Sequence, residues 1–282
     1  MSSVRVFISA DMEGATGIVT ARHVASNDSE YARMRRLLTG DVNAAVEGAV
    51  AAGASEVLVN DSHGAMINIL IEDLHPQARL ISGSNKQLCQ MEGIDGGFDA
   101  AFFVAYHARE GTEDAILNHT LLGRIVHEIT CNGAPYGETG LNAGLAGHFG
   151  VPVVLVTGDD KVAAEAKRLL GPIETAVVKE AIDRLVGNCL PPARTRDMIR
   201  EAAAAAVRRA QAGEIAPHRV AGPVTFRVTF KSTAGTTLPT LFPEVRKVDS
   251  KTIEVSEPDY LQAFRLLWGA LLLGRAGFEG AI

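Results

Sequence analysis

The chain has 282 residues, 47% hydrophobic and 21% charged, and a formal net charge of −6. Folding at this length buries roughly three quarters of the surface of the extended chain, so a core needs no disulfide or structural metal, and the composition excludes disordered, fibrous and coiled-coil classes. The acidic balance excludes phosphate-backbone binding and hence a nucleic-acid partner; Arg33, Arg35 and Arg36, the densest basic cluster, read as the solvated face of a helix.

From the N-terminus, MSSVRVFISADMEG meets acidic residues by Asp11 without a long apolar region or a small-residue cleavage site, so it does not read as a secretory signal. VRVFIS (Val4–Ser9) predicts the first strand. A helix capped by Asp28 or Ser29 runs through Leu38, and a second from Asp41 to Ala52 stops at Gly53. EVLVN (Glu56–Asn60), RLIS (Arg79–Ser82) and AFFVAY (Ala101–Tyr106) read as strands. RIVHEITC then enters a tight turn at Asn132-Gly133, a pair suited to positive φ. Glu138–Phe149 is helical, VVLVT (Val153–Thr157) is a strand, and Asp159-Asp160 opens the next helix.

Beyond Pro191-Pro192, an amphipathic helix covers Arg194–Ala212, and VTFRVTF (Val224–Phe230) alternates as a half-buried antiparallel strand does. A short strand (Thr252–Val255) and a C-terminal helix (Asp259–Gly274) follow. The pattern predicts an α/β fold, a mainly parallel sheet flanked by helices in three layers, with a smaller C-terminal α+β unit. We divide it into an α/β metal-binding catalytic domain (1–192), a helix and linker (193–222) and the smaller unit (223–282). The longest apolar run, Leu266–Gly274, is about half of a membrane span. With three scattered cysteines, Cys89, Cys131 and Cys189, and no C-x-x-C, the chain reads as cytoplasmic, with no membrane partner.

Metal-capable residues gather just past strand ends: Asp11-Met12-Glu13-Gly14, Asp61-Ser62-His63-Gly64, and His107 directly after AFFVAY. In open α/β sheets that edge is where ligands bind. Asp11 and Glu13 are two positions apart, as are Asp61 and His63, so a persisting strand points each pair to one side. Neighbouring carboxylates repel unless a cation separates them, and an Asp, Glu and His donor set suits Zn, Mn or Co. Each motif also has an ordinary reading: an acidic loop cap for D-x-E, an Asx turn for D-S-H-G, a satisfied histidine for His107. Their coincidence at three strand ends is what favours a metal centre.

His119, in Asn118-His119-Thr120, can move protons near neutral pH. Glu138 reads either as a first-turn carboxylate favoured by the helix dipole or as a ligand, and Asp159-Asp160 as a helix cap or a contributor behind the site. His23, His75, His127, His148 and His218 read as structural. No phosphate-cradling glycine loop, H-E-x-x-H or G-x-S-x-G is present.

ISADMEGATGI, VNDSHGAMINI, LHPQARLISG, VAYHAR, NHT, GETGLNA and VTGDD, in this order, resemble the DppA-type D-aminopeptidases, a family of zinc-dependent metallopeptidases. The resemblance extends from Phe7 to Asp160 and is looser in the C-terminal third. It implies two zinc ions per chain, with Asp11 bridging them, Glu13 and His107 on one ion, His63 and Glu138 on the other, and His119 as the catalytic residue. It also implies an aminopeptidase that releases N-terminal D-residues such as D-Ala from short peptides and assembles as a homo-oligomer, a decamer in the family. The rival readings are a two-metal amidohydrolase or phosphoesterase acting on another small substrate, and a non-catalytic binding protein of the same fold.

Overall fold

The structure, a computed structural model, describes residues 4–279; Met1–Ser3 of the N-terminal stretch lie outside it. Apolar β-branched runs and Ala-rich helices alternate as β1 (Val4–Ala10), α1 (Ala21–Val24), α2 (Tyr31–Ala51), β2 (Ala54–Asp61), β3 (Ala78–Ile81) and β4 (Ala100–Tyr106). There follow β5 (Val126–Cys131), β6 (Ala134–Pro135), α3 (Glu138–His148), β7 (Val153–Asp159), α4 (Asp160–Leu170), β8 (Glu174–Asp183), β9 (Val186–Cys189) and α5 (Pro192–Gln211). The chain closes with β10 (Val224–Phe230), β11 (Val245–Lys247), β12 (Thr252–Glu257) and α6 (Tyr260–Glu279).

The main sheet has the order β3-β2-β1-β4-β7-β8-β9 and is parallel except for β9, which returns antiparallel on β8. β1, β4 and β7 are almost wholly buried, as strands covered on both faces must be. From β1 the chain steps outward through α2 to β2; from β4 it steps the other way, through α3 to β7 and α4 to β8. Right-handed crossovers running in opposite directions put α2 on one face and α3 and α4 on the other. α2 is joined there by α5, and α3 packs on α4. The reversal of strand order between β1 and β4 opens a crevice beyond their C-terminal ends. The three-layer α/β expectation is therefore met.

The second sheet, β11-β12-β10-β5-β6, is antiparallel. In β10, Val224, Phe226, Val228 and Phe230 are buried and alternate with more open residues. The turn between β5 and β6 has φ of 49° at Asn132 and 83° at Gly133, the signs that a type I′ turn requires. This sheet takes β5 and β6 from inside residues 1–192, so 223–282 does not build it alone. α6 lies against β10, β12 and α3, where the Tyr260 hydroxyl donates to Leu141 O at 2.8 Å.

Local expectations hold for most strands, but α1, β6, β9 and β11 are not among the expected elements, and two further departures concern α2 and β8. The two helices expected before Gly53 are one, α2. Gly40 lies inside it, beside the Arg196 guanidinium on α5, which would meet a Cβ there at 2.1 Å. β8, absent from the expected strands, carries Lys179 into the interior.

Candidate metal centre

The loop after β1 stays hydrogen-bonded to β4: Asp11 N donates to Val104 O (2.9 Å) and Gly14 N to Ala105 O (2.8 Å). β4 breaks its register with β7 between Phe103 and Tyr106, and Ala105 adopts φ of 60°. This bulge re-aims the chain just before His107, as bulges beside functional sites do. The kinked strand fits because its neighbours are glycines: a Cβ on Gly14 would come within 1.9 Å of Tyr106 O, and one on Gly158 within 2.2 Å. From below, buried Lys179 donates from Nζ to the carbonyls of Glu13 (2.6 Å), Ala15 (2.8 Å) and Ile18 (2.5 Å), clamping the loop that carries Asp11 and Glu13. Burial lowers its ammonium pKa to about 8.

His63 is presented by the loop after β2, which Asp61 organises: its carboxylate accepts from Asn68 N (2.5 Å), Ile69 N (2.8 Å) and Asn68 Nδ2 (2.6 Å). His119 sits on the segment before β5, with room made by Gly123, where a Cβ would lie 2.8 Å from His119 Cβ. Glu138 opens α3.

The structure brings Asp11, Glu13, His63, His107, His119 and Glu138 into one cluster. His63 Nδ1 lies 3.5 Å from Asp11 Oδ1 and 2.9 Å from Glu13 Oε2. His107 Nε2 lies 3.3 Å from both Asp11 Oδ2 and Glu138 Oε1. His119 Nε2 lies 3.6 Å from Glu138 Oε1 and 4.0 Å from Glu13 Oε1, and its ring stacks on His107 with centroids 4.0 Å apart. Two overlapping sets, Asp11-Glu13-His107 and His107-His119-Glu138, each hold their donor atoms close enough to share one ion. His63 approaches Asp11 and Glu13, whereas Glu138 approaches His107 and His119.

The outer nitrogen of each ring is used by a backbone carbonyl: His63 Nε2 donates to Val24 O (3.1 Å), His107 Nδ1 to Ala108 O (2.9 Å) and His119 Nδ1 to Leu117 O (2.9 Å). A carbonyl only accepts, so in each neutral ring the inward nitrogen carries the lone pair, the tautomer a metal ligand needs. Asp11 Oδ2, Glu13 Oε2 and His107 Nε2 are buried without a hydrogen bond. Glu13 Oε2 faces His63 Nδ1 at 2.9 Å, which has no proton to donate while that ring is neutral and its N–H is given to Val24 O. Buried orphans are costly, and a cation would satisfy these three together. The donor set fits zinc.

Electrostatics tell the same story. Burial and the neighbouring Glu13 push the Asp11 carboxyl up. Burial opposes ionisation of Glu13 and Glu138 too, but the surrounding histidines overcome it, holding Glu13 well below the usual carboxylate range and Glu138 at about 2. In return, the carboxylates overcome burial at His63 and His107 and raise both well above an ordinary imidazole. The pocket calls for positive charge.

Sequence reasoning missed the support of Glu138. Gln90 Nε2 donates to Glu138 Oε2 (2.5 Å), Asn142 Nδ2 donates to Gln90 Oε1 (2.6 Å) and to the Tyr106 hydroxyl (2.8 Å), and Tyr106 meets Ser9 Oγ (2.8 Å). With Leu121 N donating to Glu138 Oε1 (2.7 Å), the carboxylate cannot rotate. Only the N-A of GETGLNA, one helical turn after Glu138, hinted at Asn142; nothing marked Gln90. Asp159 stays out of the cluster, capping α4 by accepting from Lys161 N (3.1 Å) and Val162 N (2.8 Å). The five histidines read as structural make no contact with it among the described residues; His218 Nε2, for example, meets the Tyr136 hydroxyl at 2.9 Å.

Residues 4–269 match the family described as D-aminopeptidase. A D-aminopeptidase of Bacillus subtilis (strain 168) is 40% identical over 204 residues, which cover 72% of this chain and 74% of that protein. Among solved structures, the Zn-dependent D-aminopeptidase DppA from Bacillus subtilis, described as a self-compartmentalizing protease, is similar with a TM-score of 0.92 at 34% identity, covering 96% of this chain and 98% of that one.

Proposed function

The chain belongs to the D-aminopeptidase family, and from that premise we propose that it is a zinc-dependent metallopeptidase that removes N-terminal D-amino acids, such as D-Ala, from short peptides. Two zinc ions per chain would be held by Asp11, Glu13, His63, His107 and Glu138. The observation that carries this reading is Asp11: His63 approaches its Oδ1 and His107 its Oδ2, from separate strand ends. A carboxylate addressed from both sides in this way suits a bridge between two ions and would offset their repulsion.

Bound zinc would supply Lewis acidity and a water acidified toward neutrality. The chain's own residues do the rest. Gln90 and Leu121 N fix the Glu138 carboxylate, while Lys179 fixes the Asp11–Glu13 loop, so the donors are held before substrate arrives. His119 is the most exposed of the six, with 19% of its side chain open. With Nδ1 committed to Leu117 O, its Nε2 can hold a proton and pass it to the departing amine.

We extend to this chain the homo-oligomeric, decameric assembly that the family resemblance implies; the relative DppA is described as self-compartmentalizing. No helix among the described residues is long and apolar enough to cross a membrane. The function is tested by assaying D-Ala-D-Ala and L-Ala-L-Ala with chelator-treated and zinc-restored protein. Release of D-alanine only after zinc is restored is expected. Equal turnover of the L-peptide, or turnover indifferent to zinc, refutes it.

A further inference from the structure

A groove of about 1120 Å³ opens beside the cluster. It reaches the cluster through Gln90 and Leu121, both hydrogen-bonded to Glu138, and its far wall is one face of α6. Arg265, Trp268, Leu272 and Arg275 all line it, at spacings that place them on one side of the helix. Lys86 and Arg124 line the near wall, and no Asp or Glu is among the lining residues, although the chain as a whole carries −6.

The cations are not equivalent. Lys86 Nζ is spent on Asn60 Oδ1 (2.7 Å) and Asp61 O (2.6 Å), and Arg275 pairs with Glu279 (2.6 Å). Arg124 and Arg265 have no hydrogen bond or ion pair among the described residues. Arg124 is also held near the chemistry: it follows Gly123, which packs on His119 and whose carbonyl accepts from Lys231 Nζ at 2.7 Å. Two unspent guanidinium groups line an acid-free groove that begins at the cluster, where they face the far end of any ligand that reaches from one to the other.

We propose that this groove binds the C-terminal carboxylate of the substrate peptide, with Arg124 and Arg265 as its partners. The inference rests on the aminopeptidase reading and sharpens it: a peptide N-terminus at the cluster and a carboxylate at the groove define a short peptide with a free C-terminus. Guanidinium matches a carboxylate with paired N–H donors.

The test compares D-Ala-D-Ala with its C-terminal amide on zinc-loaded protein, for the parent, Arg124→Gln and Arg265→Gln. Both side chains are exposed and unpaired, so the variants should fold as the parent does. The parent should favour the free acid about tenfold in kcat/KM, the scale of one charge-assisted hydrogen bond. At least one variant should raise KM for the acid by that factor, with kcat and the amide kinetics unchanged. Equal losses on both peptides, or no loss on either, overturns the proposal. Calorimetric binding of the two peptides to the parent separates this from the catalytic reading, since it needs no turnover. A tenfold preference for the acid supports the carboxylate site even if neither peptide is cleaved, and no preference overturns it even if both are.

Discussion

β1 and β7 both run into acidic residues at the same edge of the sheet, yet the two ends do opposite things. At the end of β7, every hydrogen-bond partner of the Asp159 carboxylate among the described residues is a backbone donor: Lys161 N, Val162 N and, from the adjacent loop, Ile116 N at 3.0 Å. At the end of β1, Asp11 receives one backbone N–H, from Met12 at 2.8 Å; its Oδ2 is orphaned and histidines stand around it. Asp61, the last residue of β2, sides with Asp159, its oxygens filled by Asn68 and Ile69. An acid whose oxygens are filled by N–H groups serves the fold. An acid left unfilled among imidazoles is kept for a ligand, and the fold bears the cost.

The contrast breaks first at Asp11. Asp11→Asn should lower kcat/KM by roughly 10³-fold or more, the several kcal/mol that metal polarisation supplies, while the metal-free variant melts at or above the temperature of the metal-free parent. The sign follows from the folded carboxyl titrating above its ordinary value. Such a group favours the fold when protonated, and that stability is lost as pH rises through the folded pKa, so removing the charge relieves the neutral-pH fold. A metal-free variant that melts well below the parent would make Asp11 a structural acid like Asp159.

Next in size, His119→Ala should retain its zinc by elemental analysis and lose roughly 10²-fold in kcat; turnover at the parent rate would remove His119 from the chemistry. Gln90→Leu should weaken zinc binding roughly 10–100-fold in a competition titration, the usual cost of losing a partner behind a ligand. Smallest is the mirror experiment. Asp159→Ala should keep zinc affinity and lose about 2 kcal/mol of stability in urea unfolding, as a lost helix cap with stranded N–H groups does. If it loses zinc instead, the two strand ends are not distinct.

Much of this was legible in the sequence, for physical reasons. β1, β2, β4, β7 and β10 are short apolar or alternating runs whose signal is local, and Asp11, Glu13, His63 and His107 sit just after the first three. What decides between Asp11 and Asp159 is not local: both are acids after buried strands, and only the folded loops supply or withhold N–H donors. β8 was hidden because Lys179 and Glu180 interrupt its apolar pattern, and Lys179 is tolerated inside only by carbonyls from residues 13–18. The break expected between Leu38 and Asp41 is absent because Gly40 lies inside α2 against Arg196, a partner far away in sequence. Gln90 carried no mark at all, being an ordinary polar residue whose role exists only once α3 lies beside it.

The central claim is that side chains from separate strand ends share two cations across Asp11. Anomalous diffraction at the zinc edge from zinc-loaded crystals tests it most directly. The account predicts two peaks per chain about 3.5–4 Å apart, one on each side of the Asp11 carboxylate. A single peak, or two that do not share Asp11, would contradict it.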